Sequence, residues 1–149
     1  MNVRHLNWLD AGPLFIWRHD LETVKWSSNP PPTWEEHLRW LNAAISIDGM
    51  NNWIVEDDGG VPVATISLYI GFIYYRIEIG EVDVMVNPTL RRRGWATKAI
   101  KWLQENYSHL RATIKVGNES SFALFRRCGF NVVNISDNIV MEWHKDDVQ

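Results

Sequence analysis

Residues 81–96 read Glu81-Val-Asp-Val-Met-Val-Asn-Pro-Thr-Leu-Arg-Arg-Arg-Gly-Trp-Ala96, and a helical pattern follows directly behind them. Val82, Val84 and Val86 alternate with Glu81, Asp83 and Met85, the period-two signature of a strand with two unlike faces, and Pro88 stops it. After three arginines and Gly94, Ala96, Ile100, Leu103 and Tyr107 fall on one helical stripe. The stretch is therefore a strand, a basic loop and a helix start. A helix start offers unpaired backbone N–H groups and the positive end of the helix dipole, and a glycine there lets a bulky anion approach the main chain. This geometry suits a diphosphate. Neither Gly-x-x-x-x-Gly-Lys-Ser/Thr nor Gly-x-Gly-x-x-Gly occurs, which excludes the phosphate cradles of P-loop and dinucleotide-binding proteins.

A second stretch stands one helix and one strand downstream: Asn118-Glu-Ser-Ser121-Phe-Ala-Leu-Phe125-Arg-Arg-Cys-Gly129-Phe130. Arg91-x-x-Gly94-x-Ala96 resembles the Arg/Gln-x-x-Gly-x-Gly/Ala acyl-CoA signature of the GNAT N-acetyltransferases. The second stretch is similar to that family's Asn-x-x-Ala/Ser-x-x-Leu/Phe-Tyr-x-Lys/Arg-x-Gly-Phe segment. Two linked motifs in the right order are far more specific than either alone. The resemblance implies an α/β (α+β) fold with a mixed, mostly antiparallel sheet of six to seven strands and about four helices. That sheet would be splayed at its centre, with acyl-CoA entering the gap.

At 149 residues the chain is read as a single domain, 1–149, and a chain of ~150 residues buries roughly two-thirds of its unfolded surface. Hydrophobic residues at 46% and charged residues at 22% are ordinary for a soluble globular protein. No segment approaches the ~20 apolar residues that span a membrane, and the first eight residues lack the apolar core of a signal peptide. With one cysteine, Cys128, and hence no internal disulfide, a cytoplasmic protein without a membrane partner is expected. A net charge of −3 supplies no global field to hold nucleic acid, and the arginines at 91–93 and 126–127 are local. No metal site is expected. The sequence leaves the oligomeric state open and permits a homodimer.

Along the chain, residues 1–9 read as a first strand, and Asp10 reads as the N-cap of a short helix with Pro13 in its first turn. Trp26-Ser-Ser-Asn-Pro-Pro-Pro is a loop, because its prolines remove donors and forbid helix. Thr33-Trp-Glu-Glu36 is a capping box that opens a helix to about Ile45, with Trp34, Leu38, Leu41 and Ile45 on the expected buried stripe. Strands follow at 52–56 and 61–69, joined by a turn at Asp57-Asp58-Gly59-Gly60, and residues 72–77 extend the sheet. After the Gly94 helix, 111–116 is a strand and a helix from Asn118 stops at Gly129, which suits the left-handed position after a helix end. Residues 131–134 and 138–143 make a closing hairpin. The order is ααβββαβαβ.

The chain holds nine tryptophans, and Trp8, Trp17, Trp26, Trp34 and Trp40 crowd into its first forty residues. Flat rings suit a sugar or a base, and equally suit core and rim packing. Trp17-Arg18-His19-Asp20, Val24-Lys25-Trp26 and Glu35-Glu36-His37-Leu38-Arg39-Trp40-Leu41 resemble the first helices of acetyltransferases that act on nucleotide-linked amino sugars, including those of bacterial nonulosonic-acid synthesis. That resemblance implies Trp17, Arg18, His37 and Trp40 as substrate-binding residues. His19, His37 and the arginines suit a solvated helix face as well.

For the chemistry, the GNAT resemblance implies acetyl-CoA as co-substrate and a primary amine of a small acceptor. Main-chain groups of Met85 and Val86 would meet pantetheine and the acetyl oxygen, an oxyanion-type stabilisation. The loop Arg91, Arg92, Arg93, Gly94, Trp95, Ala96 and Thr97 would hold the diphosphate, Asn118 would touch the pantetheine arm, and Arg126 or Arg127 the adenosine phosphate. Glu81 stands where the family places a catalytic glutamate. Asp83 shares its face, and paired carboxylates raise each other's pKa. Phe125 departs from the family's tyrosine, whose hydroxyl protonates the leaving thiolate; Ser121, one turn earlier on the same helical face, can act in its place. The same departure permits a non-catalytic acyl-CoA-binding domain. Acetylation of a protein or peptide amine is a third reading.

Overall fold

The valine-rich strand is the second half of β4, Ile77–Val86, in the computed structural model, which describes residues 1–46, 51–73 and 77–147. In chain order the other elements are β1 Asn2–His5, α1 Ala11–Arg18, α2 Leu21–Trp26, α3 Trp34–Ser46, β2 Asn51–Glu56 and β3 Pro62–Ile73, then, after β4, α4 Trp95–Asn106, β5 His109–Lys115, α5 Glu119–Arg127, β6 Asn131–Ile135 and β7 Asn138–His144. The strands form a seven-stranded sheet in the order β1-β2-β3-β4-β5-β7-β6. Pairs β1–β2, β5–β7 and β6–β7 are antiparallel and β4–β5 is parallel, as a mixed α/β reading requires. The expected extension of the sheet over 72–77 falls partly on residues outside those described. Among the described residues, no helix is long and apolar enough to cross a membrane.

Among the described residues there are five α-helices, where about four were expected. The extra one, α2, has six residues and buries none of them, so it carries no apolar stripe for a pattern to reveal. It is set by its cap: the Asp20 carboxylate accepts the Thr23 N–H at 3.2 Å.

The residues fall into two compact units, Met1–Ile66 with Met85–Trp95, and Ser67–Val84 with Ala96–Gln149. The first unit is built on Leu6, Ala11, Leu14, Trp17, Leu41, Ala44 and Ile54, with Leu38, Trp40 and Met85 packed against them. Asp10 does not cap α1. Its carboxylate instead accepts the Asn7 N–H at 2.9 Å and the Arg4 guanidinium at 2.8 and 2.9 Å. Arg4 reaches Glu56 as well, at 3.0 Å, so one guanidinium ties β1, β2 and the start of α1. A buried carboxylate needs a charged partner more than a helix start needs that cap.

The capping box of α3 is present: Thr33 Oγ1 accepts the Glu36 N–H at 3.2 Å, and Glu36 accepts the Thr33 N–H at 3.1 Å. The helix is, however, rotated from the expected stripe. His37, Leu41 and Ala44 are its buried residues, whereas Trp34 and Ile45 are exposed. The reason lies in α1. The His37 Nε2–H donates to the Ala11 carbonyl at 2.7 Å, and Arg18 donates to His37 Nδ1 at 3.0 Å. With both ring nitrogens bonded, a polar residue can sit fully buried where a tryptophan was expected.

In the second unit, Leu110, Ala112 and Ile114 of β5 face inwards, and Gln104 of α4 donates to the Cys128 carbonyl at 2.6 Å. Gly129 follows the C-cap of α5 with φ 87°, the left-handed conformation its sequence position implied.

Burial first, then the neighbouring Arg18 charge, push the pKa of His37 below its ordinary 6.5, against the bond to Ala11. Below pH ~6.5 the unfolded chain takes up a proton at His37 that the folded chain refuses. Unfolding free energy should therefore be complete above pH ~6.5 and fall as pH drops, by at most about 1.4 kcal/mol per pH unit from this group. Urea titrations between pH 5 and 7.5 should give a flatter profile for His37→Gln than for the parent chain; equal slopes would exclude His37 as the source.

Candidate active site

The basic loop owes its shape to two left-handed residues. Arg92 has φ 63° and Gly94 has φ 82°, and Arg92 is the one non-glycine with positive φ among the described residues. A bulky side chain pays for this conformation, and such strain collects at functional loops because turns of this kind aim successive N–H groups into one concavity. Arg92, Arg93 and Gly94 are exposed, and a Cβ built on Gly94 would meet nothing within 4 Å. Space is open next to the main chain. α4 begins immediately after, at Trp95, with no acidic side chain in its first turn to offset the positive dipole end. Trp95, Ala96 and Thr97 are half-buried.

The loop is anchored from both ends. Asn87 donates its N–H to the Val63 carbonyl at 2.8 Å and its side chain caps the short turn Pro88–Leu90. Arg91 pairs with the Asp20 carboxylate and donates to Thr23 Oγ1 at 3.0 Å. Its guanidinium thus fastens the loop to the start of α2.

β4 pairs with β5 at Gly80↔Leu110 and Glu81↔Arg111, and that register goes no further along β4. Met85 and Val86 lie beyond it, at the strand's end, both half-buried. Glu81 is half-buried, and its pKa is raised above the ordinary carboxyl value. Burial is the main cause; hydrogen bonds from Thr113 and the Arg111 charge act against it, and Asp83 adds the smallest upward push. Asp83 itself is exposed. The carboxylate pair expected to drive the shift is therefore its weakest contributor.

Asn118 is the N-cap of α5, its side-chain oxygen accepting the Ser121 N–H at 3.3 Å. Together with Gly117, Glu119, Phe122 and Ile139 it lines an open depression. Ser121 is half-buried, whereas Phe125 is buried edge-on against Phe130, ring centres 5.0 Å apart. The ring at the family's tyrosine position is part of the core.

In the N-terminal helices, Arg18 lies over the Trp40 ring at 4.8 Å, and His37 stacks on the same tryptophan at 5.7 Å. The four residues expected to bind the acceptor are thus together, with unequal exposure. Arg18 and Trp40 are half-buried; Trp17 and His37 are core residues.

One cluster has no counterpart in the sequence reading. Donor atoms of His109, Glu142 and His144 lie within 4.8 Å of one another, the His109 and His144 rings are 3.7 Å apart, and Arg111 donates to Glu142 Oε1 at 3.2 Å. A cation would compete there with Arg111 for the carboxylate. The period-two spacing of His109 with Arg111 and of Glu142 with His144 was visible, but nothing in the sequence set them opposite each other.

The acetyltransferase (GNAT) domain model matches residues 1–131 of this chain. Among solved structures, the spermidine N-acetyltransferase of Vibrio cholerae in complex with CoA and spermine is 17% identical, with a TM-score of 0.84 over 97% of this chain and 95% of that one. An aminoglycoside acetyltransferase in complex with coenzyme A is 14% identical, with a TM-score of 0.81 over 97% of this chain and 95% of that one. A GNAT-family acetyltransferase from Bacillus anthracis is 14% identical, with a TM-score of 0.80 over 97% and 94%. No curated protein sequence matches. Likenesses at this identity carry the fold, and the family match carries the chemistry. The chain belongs to the GNAT family and is an N-acetyltransferase that takes its acetyl group from acetyl-CoA.

Proposed function

We propose that this enzyme acetylates a primary amine of a small acceptor with Glu81 as general base, and that the acceptor is a nucleotide-linked amino sugar. The half-buried Glu81 carboxyl, raised towards a base's working range, carries the catalytic part. Glu81 takes a proton from the acceptor ammonium, directly or through water. The neutral nitrogen then attacks the thioester carbonyl, a C–N bond forms and the C–S bond breaks. Main-chain groups of Met85 and Val86 stabilise the charge on the carbonyl oxygen, while N–H groups of Arg92, Arg93, Gly94, Ala96 and Thr97 hold the diphosphate. Asn118 lies against the pantetheine arm. Phe125 has no proton to give, so Ser121 or water passes to the thiolate the second proton that the acylated nitrogen sheds.

The acceptor rests on Arg18 over Trp40: a guanidinium on an aromatic face suits an anionic ligand with a flat base. Trp17 and His37 would act from the core, holding that pair in place. Spermidine and aminoglycosides, the acceptors of the similar enzymes, are likewise small amines, but cationic. The single Cys128 and the use of acetyl-CoA support a cytoplasmic setting.

Glu81→Gln should lower kcat by roughly 10²–10⁴ while leaving acetyl-CoA affinity unchanged; wild-type rate and pH dependence would remove Glu81 from the mechanism. Gly94→Glu should abolish acetyl-CoA binding by calorimetry, whereas Gly94→Asn, which accepts positive φ without charge, should weaken it less. Equal affinities in both folded variants would relocate the diphosphate. For the acceptor, thiol release should be fastest with UDP- or dTDP-linked 4-amino sugars; higher kcat/KM with polyamines, aminoglycosides or N-terminal peptides would replace the amino sugar and keep the acetyltransferase.

A further inference from the structure

Directly opposite residues share a face of a sheet, so the register Glu81↔Arg111 on β4–β5 and Arg111↔Glu142 on β5–β7 sets three charges in one row across three strands. Arg111 stands between two carboxylates. It donates from Nη2 to Glu142 Oε1 at 3.2 Å, and its Nε is buried without a hydrogen-bond partner among the described residues. Glu142 is further held by His109 Nε2 at 3.1 Å, and the His109 ring lies tilted against that of His144 directly opposite it. The Glu142 side chain is 14% exposed and that of Arg111 34%. The guanidinium is hydrogen-bonded to Glu142, and its charge acts on Glu81 as well.

We propose that Arg111 is a positioning residue for Glu81, and that Glu142 controls how much of the Arg111 charge the base feels. The inference rests on the reading of Glu81 as base for its effect on rate, though not for its effect on the carboxyl group itself. The groups that bear on Glu81 are Asp83 on its own strand, Arg111 and Thr113 on β5, and behind Arg111 the trio Glu142, His109 and His144. Because Arg111 is shared, losing either neighbour moves the base in a defined direction. Without Arg111, Glu81 loses its nearby cation and faces an unneutralised Glu142, so it holds its proton more tightly. Without the Glu142 charge, the Arg111 charge is no longer neutralised and Glu81 feels more of it, so that Glu81 lets its proton go at lower pH.

The Glu81 carboxyl should be titrated by carbon-detected NMR on glutamate-labelled enzyme, its signal assigned by its loss in Glu81→Gln. Arg111→Gln should move the midpoint up and Glu142→Gln down, each by ~1 pH unit, and Arg111→Lys, which keeps the charge, should restore most of the wild-type value. Glu142→Gln is nearly isosteric and still accepts a hydrogen bond from Arg111, so its result stands if Arg111→Gln fails to fold. Midpoints that stay together, or move in the same direction, overturn the inference. The acid limb of kcat/KM, measured with a UDP-linked 4-amino sugar and, in parallel, spermine, should follow the same shifts. If the midpoints move as stated and the limb does not, Arg111 and Glu142 still tune Glu81, and it is the assignment of Glu81 as base that fails.

Discussion

The parallel pairing of β4 with β5 stops after Glu81↔Arg111, and the role proposed for Glu81 depends on that stop. The same stop leaves Glu81 in the last pair of the register. A carboxylate there is buried enough to resist ionisation, while the Thr113 hydrogen bonds and the Arg111 charge keep the resistance moderate. A base needs that intermediate condition: fully solvated it is too weak, and fully buried without partners it never gives up its proton.

Charge is used differently on the loop. Three consecutive arginines suggest a basic patch, yet the first of them is committed to Asp20 and Thr23. Arg92 and Arg93 stay exposed, on a main chain bent by left-handed residues at 92 and 94 and followed by the open end of the α4 dipole. Burial opposes ionisation of Asp20, and the bonds from Arg91 and Thr23 outweigh it, so its carboxyl lies below the ordinary range. The pair therefore holds the loop against α2 as a fixed tie rather than as a switch near neutral pH.

The N-terminal helices show how a polar residue can set a packing face. His37 carries no hydrophobic signal, yet it is fully buried because α1 supplies an acceptor at Ala11 and a donor at Arg18. Its neutral form and its tautomer are fixed by those two partners, which in turn orient Trp40 and the guanidinium above it. Phe125 gives the complementary case. A motif position associated with a proton donor is filled here by a ring that packs on Phe130, so the helix keeps its place in the core without the hydroxyl.

The sequence by itself determined the local pieces. Alternation of Val82, Val84 and Val86, the Thr33–Glu36 capping box, Gly94 before a helix and Gly129 after one are set by neighbours a few residues away, and each is found as read. The two motifs, spaced by one helix and one strand, were enough to point to an acyl-CoA enzyme. What only the tertiary structure decided are the relations between residues distant in the chain. Asp10 binds Arg4 instead of capping α1, His37 displaces Trp34 from the buried face, burial rather than Asp83 raises Glu81, and Arg111 meets Glu142. Desolvation and ion pairing depend on which surfaces are brought together, and register across a sheet brings together positions that no spacing along the chain relates.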